Sequence, residues 1–196
     1  MTPLALPAQD NLLFPNDPLT LDGLMQPRLA LFWGSHTPTR TLLTALTALA
    51  SRGAGVRVFD GGNRFDGYFV ARLARRLSSR PEQILKRIRI SRAFTCFQLA
   101  ELIENSPAAA DPVFVLDLLS TFYDESVPLA DSERLLGSTI AHLRRLAASG
   151  PVVVGAREPR TLVKDRWTLL EQLQAGADSA WLLRAPVETA LQPRLF

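Results

Sequence analysis

The chain has 196 residues, 47% hydrophobic and 21% charged, which suits one ordinary globular domain with a real core. Its net charge of only +3 excludes a strongly basic nucleic-acid coat protein. No run of about 18 apolar residues is available to cross a membrane, no basic residue precedes Arg28 as in a secretory signal, and the single Cys96 can form no intrachain disulfide.

These features point to a reducing cytoplasm. Cys96 lies among Phe94, Thr95 and Phe97, with no metal-ligand spacing, and reads as a small packing residue. Apart from Lys86 and Lys164, the basic residues are all arginine. Arginine forks onto phosphate and stacks on rings, although the bias also follows from genomic base composition.

Residues 1–27 carry Pro3, Pro7, Pro15, Pro18 and Pro27 with little periodicity, and are expected to form an extended arm ahead of a core domain over 28–196. Leu12, Leu13 and Phe14 could anchor that arm on a partner or a second copy of the chain; a frayed terminus is the plainer reading. Residues 28–33 are apolar enough for a buried strand, which ends at Gly34. Ser35, His36, Thr37, Pro38, Thr39 and Arg40 are irregular, and Thr41 is expected to open a helix packed through Leu42, Leu43, Leu46, Leu49 and Ala50.

Gly53 and Gly55 end that helix, and a second strand over 56–60 finishes on Asp60. Gly61-Gly62-Asn63 makes a turn, with Asp60 and Asp66 expected to hold it through backbone bonds. Phe65, Phe69, Leu73 and Leu77 mark the apolar side of the next helix. Ser79-Arg80-Pro81-Glu82 has capping-box spacing before a short helix, and Ile88 and Ile90 suggest a third strand. A helix over 97–105 precedes the clearest strand, Val113-Phe114-Val115-Leu116-Asp117. Asp131-Ser132-Glu133 should start a long helix to about Ser149, followed by strands over 151–155 and 180–183.

Apolar strands alternating with helices predict an α/β fold: a mostly parallel sheet covered on both faces. Ligands on such sheets sit beyond the carboxyl ends of the strands. Gly34, Asp60, Asp117 and Gly155 are all expected there.

Gly34 and Thr41 keep the first and last places of the phosphate loop G-x-x-x-x-G-K-[ST], in which backbone N–H groups cradle phosphate and the hydroxyl holds Mg²⁺. With Asp60-Gly61-Gly62-Asn63-Arg64-Phe65-Asp66, Ile90-Ser91-Arg92-Ala93-Phe94, the strand ending on Asp117, and Val152-Val153-Val154-Gly155, the chain resembles the RecA-like P-loop ATPase core of the RecA/RadA recombinases over roughly residues 19–184. The resemblance implies a remnant nucleotide site at Gly34, Ser35, His36, Thr37, Thr39, Arg40 and Thr41, with Thr41 and Asp117 as Mg²⁺-associated groups. It also places the second DNA loop at Arg157, Arg160, Lys164 and Arg166, with Trp167 available for stacking. A surface helix packed through Leu169, Leu170 and Leu173 is the competing reading of the later half of that segment.

The departures concern chemistry. Thr39 and Arg40 replace the second glycine and the lysine, Gly62 stands where the family has its catalytic glutamate, and Arg157 stands at the family's γ-phosphate-sensing glutamine. Pro38 removes one N–H from the cradle. His36 and His142 suggest no catalytic set. Three readings follow. One is an accessory protein of DNA recombination or repair that binds single-stranded DNA or a recombinase and hydrolyses little or no ATP. The others are an atypical DNA-dependent ATPase using ATP and Mg²⁺, and a regulatory subunit that binds neither nucleotide nor DNA.

Overall fold

Six strands form one all-parallel sheet in the computed structural model, which describes residues 21–160 and 164–183. They are β1 (Leu29–Gly34), β2 (Val56–Asp60), β3 (Ile88–Arg92), β4 (Val113–Leu116), β5 (Val152–Arg157) and β6 (Ser179–Leu182), in the spatial order β3-β2-β4-β5-β1-β6. The expected α/β class is what the chain adopts, and its connections are helical as parallel pairing requires.

Side chains alternate across each strand, and two separate cores result. On one face Ala30, Phe32, Val56, Val58, Phe114, Leu116 and Val153 pack under α1 (Leu21–Leu24), α2 (Thr39–Ser51), α3 (Gly67–Leu77) and α4 (Pro81–Lys86). On the other, Leu29, Leu31, Phe59, Val113, Val115, Val152 and Val154 pack under α5 (Cys96–Glu104), α6 (Leu129–Ala147) and α7 (Trp167–Gly176). Cys96 is a buried member of the second core.

Several boundaries differ from expectation. Helix α2 begins at Thr39, two residues before Thr41, because Pro38 is the N-cap and its carbonyl already accepts from Leu42 N at 3.0 Å. Helix α6 likewise starts at Leu129, behind Pro128, ahead of the Asp131 start. The expected capping box at Ser79 is not made: Arg80 is the N-cap of α4 and no side chain caps it. Gly155 lies inside β5, so Arg157 is the residue at that strand's carboxyl end. Residues 21–24, placed in the arm by sequence, form a helical turn whose Leu21 and Leu24 are buried in the first core. The proposed arm anchor at residues 12–14 lies outside the described residues.

The winding of the chain positions the site. From β1 the chain travels through α2 toward β2 and β3; from β3 it returns through α5, α6 and α7 to β4, β5 and β6. Neighbours β2 and β4 therefore send their connections to opposite faces, as do neighbours β5 and β1. Each such reversal opens a crevice at the carboxyl ends of the strands. Asp60 pairs in register with Leu116 at the first crevice, and Gly34 with Arg157 at the second.

Candidate functional site

At the β2–β4 crevice two fully buried carboxylates, Asp60 and Asp117, stand among three arginines. Asp60 holds the turn as its position after β2 suggests: Oδ1 accepts from Arg64 N at 2.7 Å, and Oδ2 accepts from Phe65 N at 3.1 Å and Arg92 Nε at 3.2 Å. Asp66 performs a separate task, capping α3 by accepting from Phe69 N at 2.9 Å. Between them Asn63 takes a left-handed backbone (φ 53°), which asparagine tolerates well.

Asp117 also sits in the left-handed region (φ 52°), directly after β4. Its Oδ2 accepts from Arg64 Nε at 3.1 Å and lies 3.6 Å from Arg157 Nε. Arg157 donates through Nη2 to Ser120 Oγ at 3.2 Å, and its carbonyl accepts from the Tyr123 hydroxyl at 2.9 Å. Burial, reinforced by the Asp117 charge, pushes the Tyr123 phenol up, so it is a neutral donor. Asp117 Oδ1 is buried with no hydrogen-bond partner among the described residues.

Gly62 closes this cluster. A Cβ built there would stand 2.7 Å from Asp117 Cβ and 2.8 Å from its Oδ2. The position that the resemblance gives to a catalytic glutamate is therefore the place where backbone must approach Asp117 closely, and no side chain fits without displacing that acid.

At the β5–β1 crevice the loop after β1 runs only from Ser35 to Pro38 before α2 begins. Gly34 is buried at the strand end; a Cβ there would collide with the Leu183 carbonyl oxygen. Ser35 Oγ and His36 Nδ1 are 3.1 Å apart and exposed, while Thr37 Oγ1 is buried without a hydrogen-bond partner among the described residues. Pro38 is buried against Gly155 of β5, its Cγ 3.6 Å from a Cβ built at that glycine. Thr39 N already donates to Thr37 O at 2.7 Å.

A cradle needs free amides; here one is missing by chemistry and the next is taken. Arg40, at the lysine position, sits 5.8 Å over the Phe69 ring of α3. Thr41 is half-buried in the first turn of α2. The residues present are a poor fit for a triphosphate with Mg²⁺. The amides are reduced, the cation is stacked on an aromatic, and Oδ2 of Asp117 is already held by two guanidinium groups.

The segment expected to contact DNA divides. Arg166 is 3% exposed and structural: its guanidinium donates to Phe122 O at 2.7 Å, Val127 O at 2.6 Å and Ser132 Oγ at 3.2 Å. It is withdrawn from any DNA surface. Arg157 is spent on Asp117 and Ser120. Arg160 is exposed but shares a depression of about 250 Å³ with Asp124 and Glu125, whose charge opposes phosphate. Lys164 begins a 3₁₀ turn (Lys164–Arg166), and Leu169, Leu170 and Leu173 bury α7 as the packed-helix reading requires.

Sequence reasoning named Asp117 and Arg157 but did not join them to each other or to Arg64 and Arg92. The only prior signal was arginine lying close to strand-terminal acids, which does not specify a pair 53 residues apart. No protein-family model matches the chain, and no curated protein matches its sequence.

Proposed function

We propose that this chain is a RecA/RadA-like accessory protein of DNA recombination or repair, binding DNA or a recombinase partner, whose nucleotide site has decayed and hydrolyses ATP very slowly or not at all. The observation that supports the decayed-site part of the reading is the double guanidinium hold on Asp117, with Arg64 Nε at 3.1 Å and Arg157 Nε at 3.6 Å from one oxygen. An acid serving Mg²⁺ must face a hydrated cation. Two positive groups already beside it repel a third at short range.

Gly62 offers no carboxylate to orient water, and that loss alone costs about 10²–10⁴ in rate. Loss of phosphate electrostatics adds to it, because positioning and charge neutralisation make up most of phosphoryl-transfer catalysis. The test is phosphate release by the purified chain with ATP and Mg²⁺, with and without single-stranded DNA. Release at background, unchanged by Asp117→Asn, is the expected result; recombinase-like turnover abolished by that substitution would defeat the reading. The recombination role is tested separately by adding the chain to a recombinase filament. A changed rate of strand exchange is expected, and no change at saturating chain would remove that role.

A further inference from the structure

The structure points to a binding surface centred on α3, outside the 157–166 segment and sharing only Arg40 with the phosphate-loop stretch. We propose that the exposed face of α3, together with Arg40 of α2, binds single-stranded nucleic acid, which the reading above takes to be DNA. The proposal rests on the DNA-binding arm of that reading and moves it to a different part of the molecule.

Helix α3 has the sequence GYFVARLARRL, with Arg72, Arg75 and Arg76 and no acid. At 100° per residue Tyr68, Phe69, Arg72, Arg75 and Arg76 fall on one stripe, opposite the buried Val70 and Ala74. Arg72, Arg75, Arg76 and the following Arg80 are exposed, and Tyr68 is 87% exposed. Arg40, Phe69, Arg72, Leu73 and Arg76 line a depression of about 210 Å³ beside it.

Among the described residues none of these five arginines has a carboxylate within ion-pair distance, whereas Arg52, Arg64, Arg92, Arg134 and Arg157 all do. The nearest acid before the stripe, Asp66, is occupied in capping the helix, and Glu82 lies beyond it in the first turn of α4. The three arginines of α3 together with Arg40 beside them exceed the net charge of the whole chain, +3. Such a concentration raises the local positive potential and attracts a polyanion.

The exposed Tyr68 selects the form of polyanion. A duplex hides its base faces, whereas a single strand can lay phosphates along the arginines and stack a base on an exposed ring. Arg72 and Arg76 stand about one helical turn apart, which presents guanidinium groups in a row along the helix. Tyr68 at the start of the row offers the open ring.

The test is fluorescence anisotropy of the full chain with labelled oligo-dT across a salt series. The triple variant Arg40→Ala, Arg72→Ala, Arg76→Ala is expected to weaken binding at least tenfold. It should also flatten the log–log salt slope by about 2, from roughly 0.7 per phosphate contact on a single strand. Tyr68→Ala should weaken binding about fivefold or more at unchanged slope. Arg134→Ala, exposed on α6, should bind as the unaltered chain does, and matching circular dichroism melts would show that all variants fold.

Wild-type affinity in the triple variant, with loss instead in Arg160→Ala, would overturn this surface while leaving DNA binding intact. Absence of oligo-dT binding by the unaltered chain would overturn the surface and the DNA arm together, leaving the ATP-hydrolysis and strand-exchange results to decide the remainder. Equal affinity for duplex with Tyr68→Ala silent would overturn the single strand as occupant.

Discussion

Asp117 has zero exposure, a left-handed backbone and two guanidinium neighbours, so it contributes to stability through charge. Asparagine tolerates the left-handed region as well as aspartate does, which makes Asp117→Asn a clean removal of charge. Breaking a buried pair can cost 3–5 kcal/mol, but Arg64 and Arg157 are 39% and 22% exposed and partly solvated. The expected loss in urea unfolding is therefore about 1–3 kcal/mol. An unchanged midpoint would mean that the pairs contribute nothing and that the acid is free for another role. The position of Asp117 after an apolar strand was legible in sequence, because a carboxylate directly after four buried-type residues marks a strand's carboxyl end. Its partners were not, since Arg64 and Arg157 reach it from opposite directions along the chain.

Among the elements, α3 shows most plainly how periodicity gives only part of a buried face. Phe65, Phe69, Leu73 and Leu77 make a regular apolar line, of which Phe65 and Phe69 pack partly buried against the first core, yet Val70 and Ala74 are the fully buried residues and Leu77 is 46% exposed. Two apolar lines exist, and the line of smaller residues wins because it lets α3 approach α2 closely. Ala74→Leu should consequently destabilise by about 1–3 kcal/mol through overpacking, read as a lowered urea midpoint; an unaltered midpoint would show the contact to be loose. The larger line then remains at the rim, where Phe69 lies under Arg40. Strand existence was legible at all six strands: five are largely apolar runs bounded by glycine, proline or charge, and β3 shows as Ile88 and Ile90 alternating with Arg89 and Ser91. Helix starts were less so: Pro38 and Pro128 initiate α2 and α6 earlier than hydroxyl or acidic residues suggested.

For the whole molecule, sequence specifies the alternation of strands and helices but not the order of strands across the sheet. Placing β5 between β1 and β4 sets the loop after β1 and the acid after β4 on two neighbouring crevices, with Arg157 extending from one to the other. Crevices of that kind are where parallel sheets hold ligands, and the side chains set in these work against a nucleotide with Mg²⁺. Among the described residues, no helix is long and apolar enough to cross a membrane.

The central claim is that ATP with Mg²⁺ has no productive seat in this fold. Thermal unfolding of the chain with and without excess ATP and Mg²⁺ tests it most directly. A ligand at 100 times its Kd adds about 2.7 kcal/mol to stability, which in a chain of this size raises Tm by about 5–10 °C. We expect a shift within about 1 °C, since a ligand held by few contacts stabilises little. A rise of several degrees that requires Mg²⁺ and is lost in Asp117→Asn would contradict the account.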